Sequence, residues 1–253
     1  TAIAGPVTSG GAILVSPNAG PSNFAGKDCN PDIFVASYQN DQMPKALAEH
    51  MNQQGIASVY LLAPNYQAGK DSLNGFKSLF KGEVEGELYV PLGQLDFSGE
   101  LAQIAAAQPQ AVYAFMPGGM GVNLVKQWQQ AGLASIPLMS AFTVDETTLP
   151  AEQDAALGML TASNWAPDLD TPGNAEFVAA FRQAYNRIPS LYAVGGYDSL
   201  MLIDSAVKAA GTEDRAALRT ALRAADFHSL RGNFSFSTNQ FPVQDFYVTK
   251  AIK

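Results

Sequence analysis

"AVYAFMPGGMGVNLVKQWQQAG", residues 111–132, is the stretch that decides the fold class. Ala111–Met116 is a short run without a charge, the pattern of a strand buried on both faces. Pro117-Gly118-Gly119 breaks it. Val122, Val125 and Trp128 then recur at helical spacing, and Gly132 supplies a stop. A buried strand that runs through a glycine loop into a helix is half of a βαβ unit.

The same alternation extends to both sides. Upstream, Asp41–Gln54 carries Met43, Leu47 and Met51 at helical spacing, with Gly55 as its stop. "SVYLLA" (58–63) is a strand. Leu73, Phe76 and Phe80 mark a helix face that ends at Gly82, and Glu87–Leu92 reads as the next strand. Ser98 is placed to cap a helix with Leu101, Ile104 and Ala105. Downstream, Pro137–Ala141 and Leu157–Ser163 read as strands. Strands and helices in alternation predict an α/β fold with parallel sheets flanked by helices.

The pattern changes at "NWAPDLDTPGN" (164–174), a connector rich in Pro, Asp and Gly. Two helices follow with no strand between them: one with Phe177, Phe181 and Tyr185, closed by Pro189, and one from Tyr192 to Ala210. Thr212 is expected to cap a third, with Glu213-Asp214 in its first turn. Phe234 and Phe236, then Phe246 and Val248, alternate with polar residues as half-buried strands do. The expected organisation is a continuous lobe over 41–163. A second, discontinuous lobe combines 1–40 with 164–253 and has few strands of its own.

Bulk properties narrow the function. The chain has 253 residues, 47% of them hydrophobic and 15% charged, enough for a substantial core. A net charge of −8 disfavours a nucleic-acid partner. No run is long enough to span a membrane, and the N-terminus lacks the charged flank and apolar run of a signal peptide. Cys29 is the single cysteine, so no disulfide forms within this sequence. It reads as a structural thiol or as half of a bridge to a segment outside it. His50 and His228 have no ligating neighbour at metal spacing. No G-x-S-x-G elbow and no P-loop occurs. The expectation is a protein without catalytic residues, metal or cofactor.

"AILVSPNAGPSNF" (12–24) is another strand that stops in a loop, here of Gly, Pro and Asn. "APNYQAG" (63–69), "PGGMG" (117–121) and "AFTVD" (141–145) also follow strands. Ligands of open α/β sheets bind beyond the carboxyl ends of strands. Asn18, Tyr66, Gln67, Pro117, Gly118 and Phe142 occupy those positions. Aromatic rings, amides and bare backbone suit holding a small molecule rather than breaking one.

"ILVSPNAGPS", "LAPNYQAG", "AVYAFMPGG", "LYAVGGYDSL" and "SLRGNFSFSTNQFPVQDFYV", in that order, resemble the type I periplasmic substrate-binding proteins of ABC transporters, in particular the Leu/Ile/Val-binding receptor family. The resemblance implies a two-lobed periplasmic receptor that closes by hinge motion on a ligand between its lobes and delivers it to permease subunits. It places three interlobe strands near Phe34–Tyr38, Ala162–Pro167 and Phe227–Gly232. The family begins several strand–helix units before the position of Thr1, so the resemblance implies an N-terminally truncated chain with an incomplete first lobe.

The resemblance also assigns roles. The backbone N–H groups of Ala19 and Gly20, beside Asn18, would receive a ligand carboxylate. Tyr66, Phe142 and Tyr192 would enclose its apolar end. Amino-acid-binding members place a carboxylate where this sequence has Phe142, to pair with the ligand ammonium. With Phe142 there, an unpaired ammonium would be costly in a dry site, and an aromatic or hydrophobic carboxylate fits better. Asp145 or Glu146 could restore an ammonium partner. A branched-chain amino acid receptor and a ligand-sensing regulatory domain on the same fold remain the alternatives.

Overall fold

The protein is described by a computed structural model that covers residues 2–253. The chain divides into two compact units, one of residues 1–40 and 164–245, the other of 41–163 and 246–253. Along the sequence, the first unit opens with α1 (Ala4–Ser9), β1 (Leu14–Ser16), a 3-10 turn (Ser22–Ala25) and β2 (Ile33–Val35). The second unit runs α2 (Gln42–Gln53), β3 (Ser58–Pro64), α3 (Gln67–Leu79), β4 (Glu83–Val90), α4 (Ser98–Ala107) and β5 (Ala111–Ala114). It continues with α5 (Gly119–Gln130), β6 (Leu138–Ala141), α6 (Leu149–Glu152), a second 3-10 turn (Gln153–Ala156) and β7 (Leu160–Ser163). The chain then returns to the first unit with α7 (Asn174–Tyr185), α8 (Leu191–Ala210), α9 (Arg215–Ala224), β8 (Phe234–Phe236) and β9 (Pro242–Gln244). It ends in the second with β10 (Tyr247–Lys250).

The second unit is built on one six-stranded sheet in the order β10-β7-β6-β5-β3-β4. All pairs from β4 to β7 are parallel. Hydrophobicity explains the order. β3 is buried from Val59 to Pro64 and β5 throughout, as central strands covered on both faces must be. β4 exposes Glu83 and Glu85, charges that suit an edge strand and discourage further pairing. Leu62, Val112, Ala114 and Ile104 pack with Leu124, Val125 and Trp128 of α5 into the main core.

β3 has β4 on one side and β5 on the other. The strand order therefore reverses between β3 and β5. In open α/β sheets that switch point leaves a crevice at the strands' carboxyl ends.

In the first unit, β1 and β2 pair in parallel and β8 and β9 form an antiparallel hairpin. Phe34 and Ala36 pack with Leu202, Ala206 and Leu222 from α8 and α9, and Phe236 closes edge-on onto Phe34 at 5.4 Å. The most deeply buried charge is the pair Arg231–Asp198, 1% and 0% exposed at the side chains and 2.8 Å apart. Burying such a pair is tolerated only if its remaining hydrogen-bond capacity is filled. Arg231 Nη2 donates to the Ala36 carbonyl, Nη1 to the Ser37 carbonyl, and the guanidinium lies 5.0 Å over the Phe234 ring. Asp198 also accepts from the Ser229 hydroxyl and the Leu230 N–H.

Several sequence expectations are corrected. Residues 246–253 lie in the second unit, where β10 pairs antiparallel with β7, Tyr247 opposite Ser163. The chain's last passage between units is accordingly at Asp245/Phe246, not within Phe227–Gly232. Four alternating residues can join any sheet edge, so their periodicity does not say which. Ser98 is the first helical residue rather than a cap, and its N–H bonds to Asp96 Oδ1. Asp214, not Thr212, caps α9, accepting from the N–H groups of Ala216 and Ala217. An Asp carries the stronger acceptor and adds its charge to the helix N-terminus. Among the described residues no helix is long and apolar enough to cross a membrane.

Candidate functional site

In the second unit the switch-point residues converge. Tyr66 lies two residues past the end of β3 and is the extended N-cap residue of α3, so its side chain leaves the strand end. Phe115 follows β5, and its N–H bonds to the Leu62 carbonyl at 2.9 Å, which prolongs the ladder between β5 and β3 by one residue. The Tyr66 and Phe115 rings stack with centroids 6.2 Å apart. Phe142 follows β6, and its ring meets Phe115 edge-on at 5.7 Å and 90°. Three aromatic residues from three adjacent strand ends thus form one group. Burial raises the Tyr66 pKa, so the phenol stays neutral at physiological pH.

Phe142 is also conformationally exceptional. Its φ is +59°, in the left-handed region that a bulky side chain rarely occupies, and it is 6% exposed. Such a residue costs about 1–3 kcal/mol and persists only where its surroundings over-determine it. Here they do. The fully buried Thr143 accepts the Met116 N–H on its Oγ1 at 2.8 Å, and its carbonyl accepts the Thr148 hydroxyl at 3.0 Å. The segment after β6 is therefore tied to the segment after β5 and to its own continuation.

Asp145, three residues on, points one oxygen into its own turn. Oδ1 accepts the N–H and hydroxyl of Thr147 and the N–H of Thr148. Glu152, 1% exposed, is the other acid of this region. Its pKa is pushed up to about 7, chiefly by burial and further by the Asp145 charge, with the Thr148 side chain and Lys126 acting in the opposite direction. Of the remaining expected residues in this unit, Gln67 opens α3 and donates its amide to Asp71 at 2.7 Å. Pro117 and Gly118 form the turn into α5, with Gly118 at φ +58°.

In the first unit, Asn18, Ala19 and Gly20 lie between β1 and the first 3-10 turn. Two close approaches shape this loop. A Cβ on Gly20 would stand 1.7 Å from the Tyr38 carbonyl oxygen, so only glycine fits. A Cβ on Gly195, in α8, would stand 2.3 Å from the Pro17 carbonyl oxygen, so α8 packs directly on the loop. Asn18 is held at both ends: its Oδ1 accepts the Tyr38 hydroxyl and its carbonyl the Ser37 hydroxyl. Ser16 closes the loop by donating to the Ala19 carbonyl at 2.7 Å. Among the described residues no acceptor meets the N–H groups of Ala19 and Gly20. Tyr192 stands one turn before Gly195, at the start of α8.

Phe115 escaped the sequence reading. Its signal, an aromatic residue at the end of an uncharged run two residues before Pro117, reads equally well as core. Among the described residues no group of three or more His, Cys, Asp or Glu side chains could hold a metal.

The second unit thus places an aromatic group at the switch point of its parallel sheet, and the first unit holds a loop with two N–H donors after β1. Comparison with known proteins identifies the family. A family model described as periplasmic binding protein matches residues 1–253, and the chain belongs to that family. Leu/Ile/Val-binding protein homolog 6 of Brucella melitensis is 29% identical over 255 residues, covering 96% of this chain. The chain spans 65% of the length of that curated relative. Among solved structures, the solute-binding protein of an ABC transporter from R. palustris in complex with benzoate is 35% identical. Its TM-score is 0.89, over 93% of this chain and 67% of that one. Another from R. palustris, in complex with 4-hydroxybenzoate, is 26% identical with a TM-score of 0.92, over all of this chain and 71% of that one.

Proposed function

We propose that this chain is part of the solute receptor of an ABC importer, working in the periplasm, and that its ligand is a small carboxylate with an aromatic or hydrophobic body. The Ala19 and Gly20 N–H groups, with Asn18 beside them, receive the carboxylate. Tyr66, Phe142 and Tyr192 pack on the ligand body, with Gln67, Pro117 and Gly118 at the margin. The protein works by differential affinity of open and closed states for the ligand, not by chemistry, and release goes to membrane permease subunits.

The observation that carries this reading is Phe142, a buried aromatic residue with a left-handed backbone, at the position where the resemblance puts the carboxylate of amino-acid-binding members. A ligand ammonium there would face an apolar ring and lose its hydration without a partner. A ligand ring gains edge or face contacts of about 0.5–1.5 kcal/mol beyond simple burial. The benzoate and hydroxybenzoate complexes of the R. palustris relatives support the same class.

A branched-chain amino acid is the second reading, favoured by the Leu/Ile/Val-binding relatives and by Asp145 near Phe142. The three donors already on Asp145 Oδ1 weigh against it. A thermal-shift screen with benzoate, 4-hydroxybenzoate, leucine and valine separates the two, because a ligand of the native state raises the melting temperature. A rise with the aromatic acids alone supports the proposal. A rise with leucine and valine alone replaces it with the second reading.

A further inference from the structure

We propose that Phe115, which no ligand needs to touch, is the positioning residue that makes this site select an aromatic ring over an aliphatic body of the same size. The inference rests on the aromatic-carboxylate reading above and assigns the control of selectivity within it.

Phe115 is the middle member of the aromatic group. It is 5% exposed, stacks on Tyr66 with an interplanar angle of 22°, and receives Phe142 at 90°. Tyr66 and Phe142 contribute from strands β3 and β6, which are not neighbours in the sheet; β5, the strand that carries Phe115, lies between them. Phe115 is therefore the group that sets the spacing and tilt of the other two rings. Its own backbone cannot drift, because its N–H is in the ladder to Leu62 and the next N–H, of Met116, is bonded to Thr143 Oγ1. That second bond runs to the residue that follows the strained Phe142. The residues that follow Phe115 and Phe142 are thus tied to each other, through the Met116 backbone N–H on one side and the Thr143 hydroxyl on the other.

Shape follows from this arrangement. Edge-to-face and offset-stacked partners prefer centroid separations of roughly 4.5–7 Å. The Phe115 contacts, at 6.2 and 5.7 Å, hold Tyr66 and Phe142 in geometries of that kind. A flat π-system can join such a group with its face or edge. A puckered saturated ring gains only burial. Removing the central ring lets Tyr66 and Phe142 relax, and the distinction between flat and puckered ligands is lost before affinity for the carboxylate is.

The test is calorimetric titration of the 253-residue chain with benzoate and with cyclohexanecarboxylate, which share the carboxylate and size but not the π-face. Phe115→Leu is expected to lower the benzoate-to-cyclohexanecarboxylate affinity ratio about tenfold, the value of roughly one aromatic pair. Phe115→Tyr, which keeps the ring, is expected to retain the ratio within about twofold, a rescue that mere core filling by Leu would not require. Thr143→Val keeps all three rings and removes the tie to Met116; it covers the case in which Phe115→Leu does not fold, and it is expected to lower the ratio about threefold through a lost hydrogen bond. If the wild-type chain prefers benzoate and neither Phe115→Leu nor Thr143→Val changes that preference, the role of Phe115 is overturned and the function stands. If the wild-type chain binds both acids without preferring benzoate, the selectivity assigned to Phe115 is overturned and the function stands; if it binds neither, the functional reading itself fails and this inference falls with it.

Discussion

Arg231 donates from Nη1 to the carbonyl oxygen of Ser37 at 2.7 Å. The same oxygen accepts Gln244 Nε2 at 2.6 Å and Asn164 Nδ2 at 3.0 Å. The chain passes between the two units after Asn40, Ser163 and Asp245. Each of the three segments that make those passages is thus rooted, within the first unit, on one atom. The buried Arg231–Asp198 pair anchors the arrangement, so its energetic role is conformational as much as cohesive.

Arg231→Met is expected to destabilise the first unit by about 3–5 kcal/mol, because it leaves the Asp198 carboxylate buried without its counter-charge. Denaturant unfolding followed by circular dichroism measures the loss. A change below about 1 kcal/mol would mean that the Ser229 hydroxyl and Leu230 N–H suffice for Asp198.

Phe142→Glu is expected to invert ligand preference. The carboxylate would supply a partner for an α-ammonium and remove the ring that an aromatic acid packs on. Benzoate affinity should fall at least tenfold, a loss of about 1.4 kcal/mol or more, while L-leucine gains affinity. Parallel thermal shifts with the two ligands check this. Unchanged ranking would mean that Phe142 does not face the ligand.

Gly20→Ala is expected to abolish carboxylate binding with little effect on the second unit. The new methyl has no room beside the Tyr38 carbonyl, so the loop must move and take the Ala19 and Gly20 N–H groups with it. Loss of the benzoate-induced thermal shift, with far-ultraviolet circular dichroism retained, is the predicted result.

Glu152 gives the stability of the second unit a pH dependence of defined sign. Its native pKa of about 7 lies above its ordinary value of 4.5. The neutral carboxyl is favoured in the folded state, so its stabilising contribution is complete below about pH 4.5 and is lost as pH rises to about 7. Glu152→Gln stays neutral throughout. The variant should match the wild type at pH 4 and exceed it by about 1–3 kcal/mol at pH 8. Equal stability at both pH values would show that Glu152 is ionised without penalty.

Sequence periodicity made the second unit legible because β3, β5 and β6 are buried almost throughout and β4 is an edge strand, with Gly or Pro close to each. β3 and β5 announce themselves by having no charge, and α5 by the spacing of Val125 and Trp128. The loop residues Gly20 and Phe142 could be singled out because they follow such strands. What periodicity cannot carry is partnership. Tyr247–Lys250 reads as a strand but not as a partner of β7. Arg231 reads as a polar residue in a turn, and only the fold brings it to Asp198, 33 residues away in sequence. The φ of Phe142 and the central place of Phe115 likewise depend on which strands lie side by side.

The most direct test of the account is calorimetric titration of the wild-type chain with benzoate and L-leucine side by side. Saturable heat is expected with benzoate and none with leucine at the same concentrations. Saturable heat with leucine and none with benzoate would contradict it, and would make Asp145 rather than Phe142 the residue that decides the ligand.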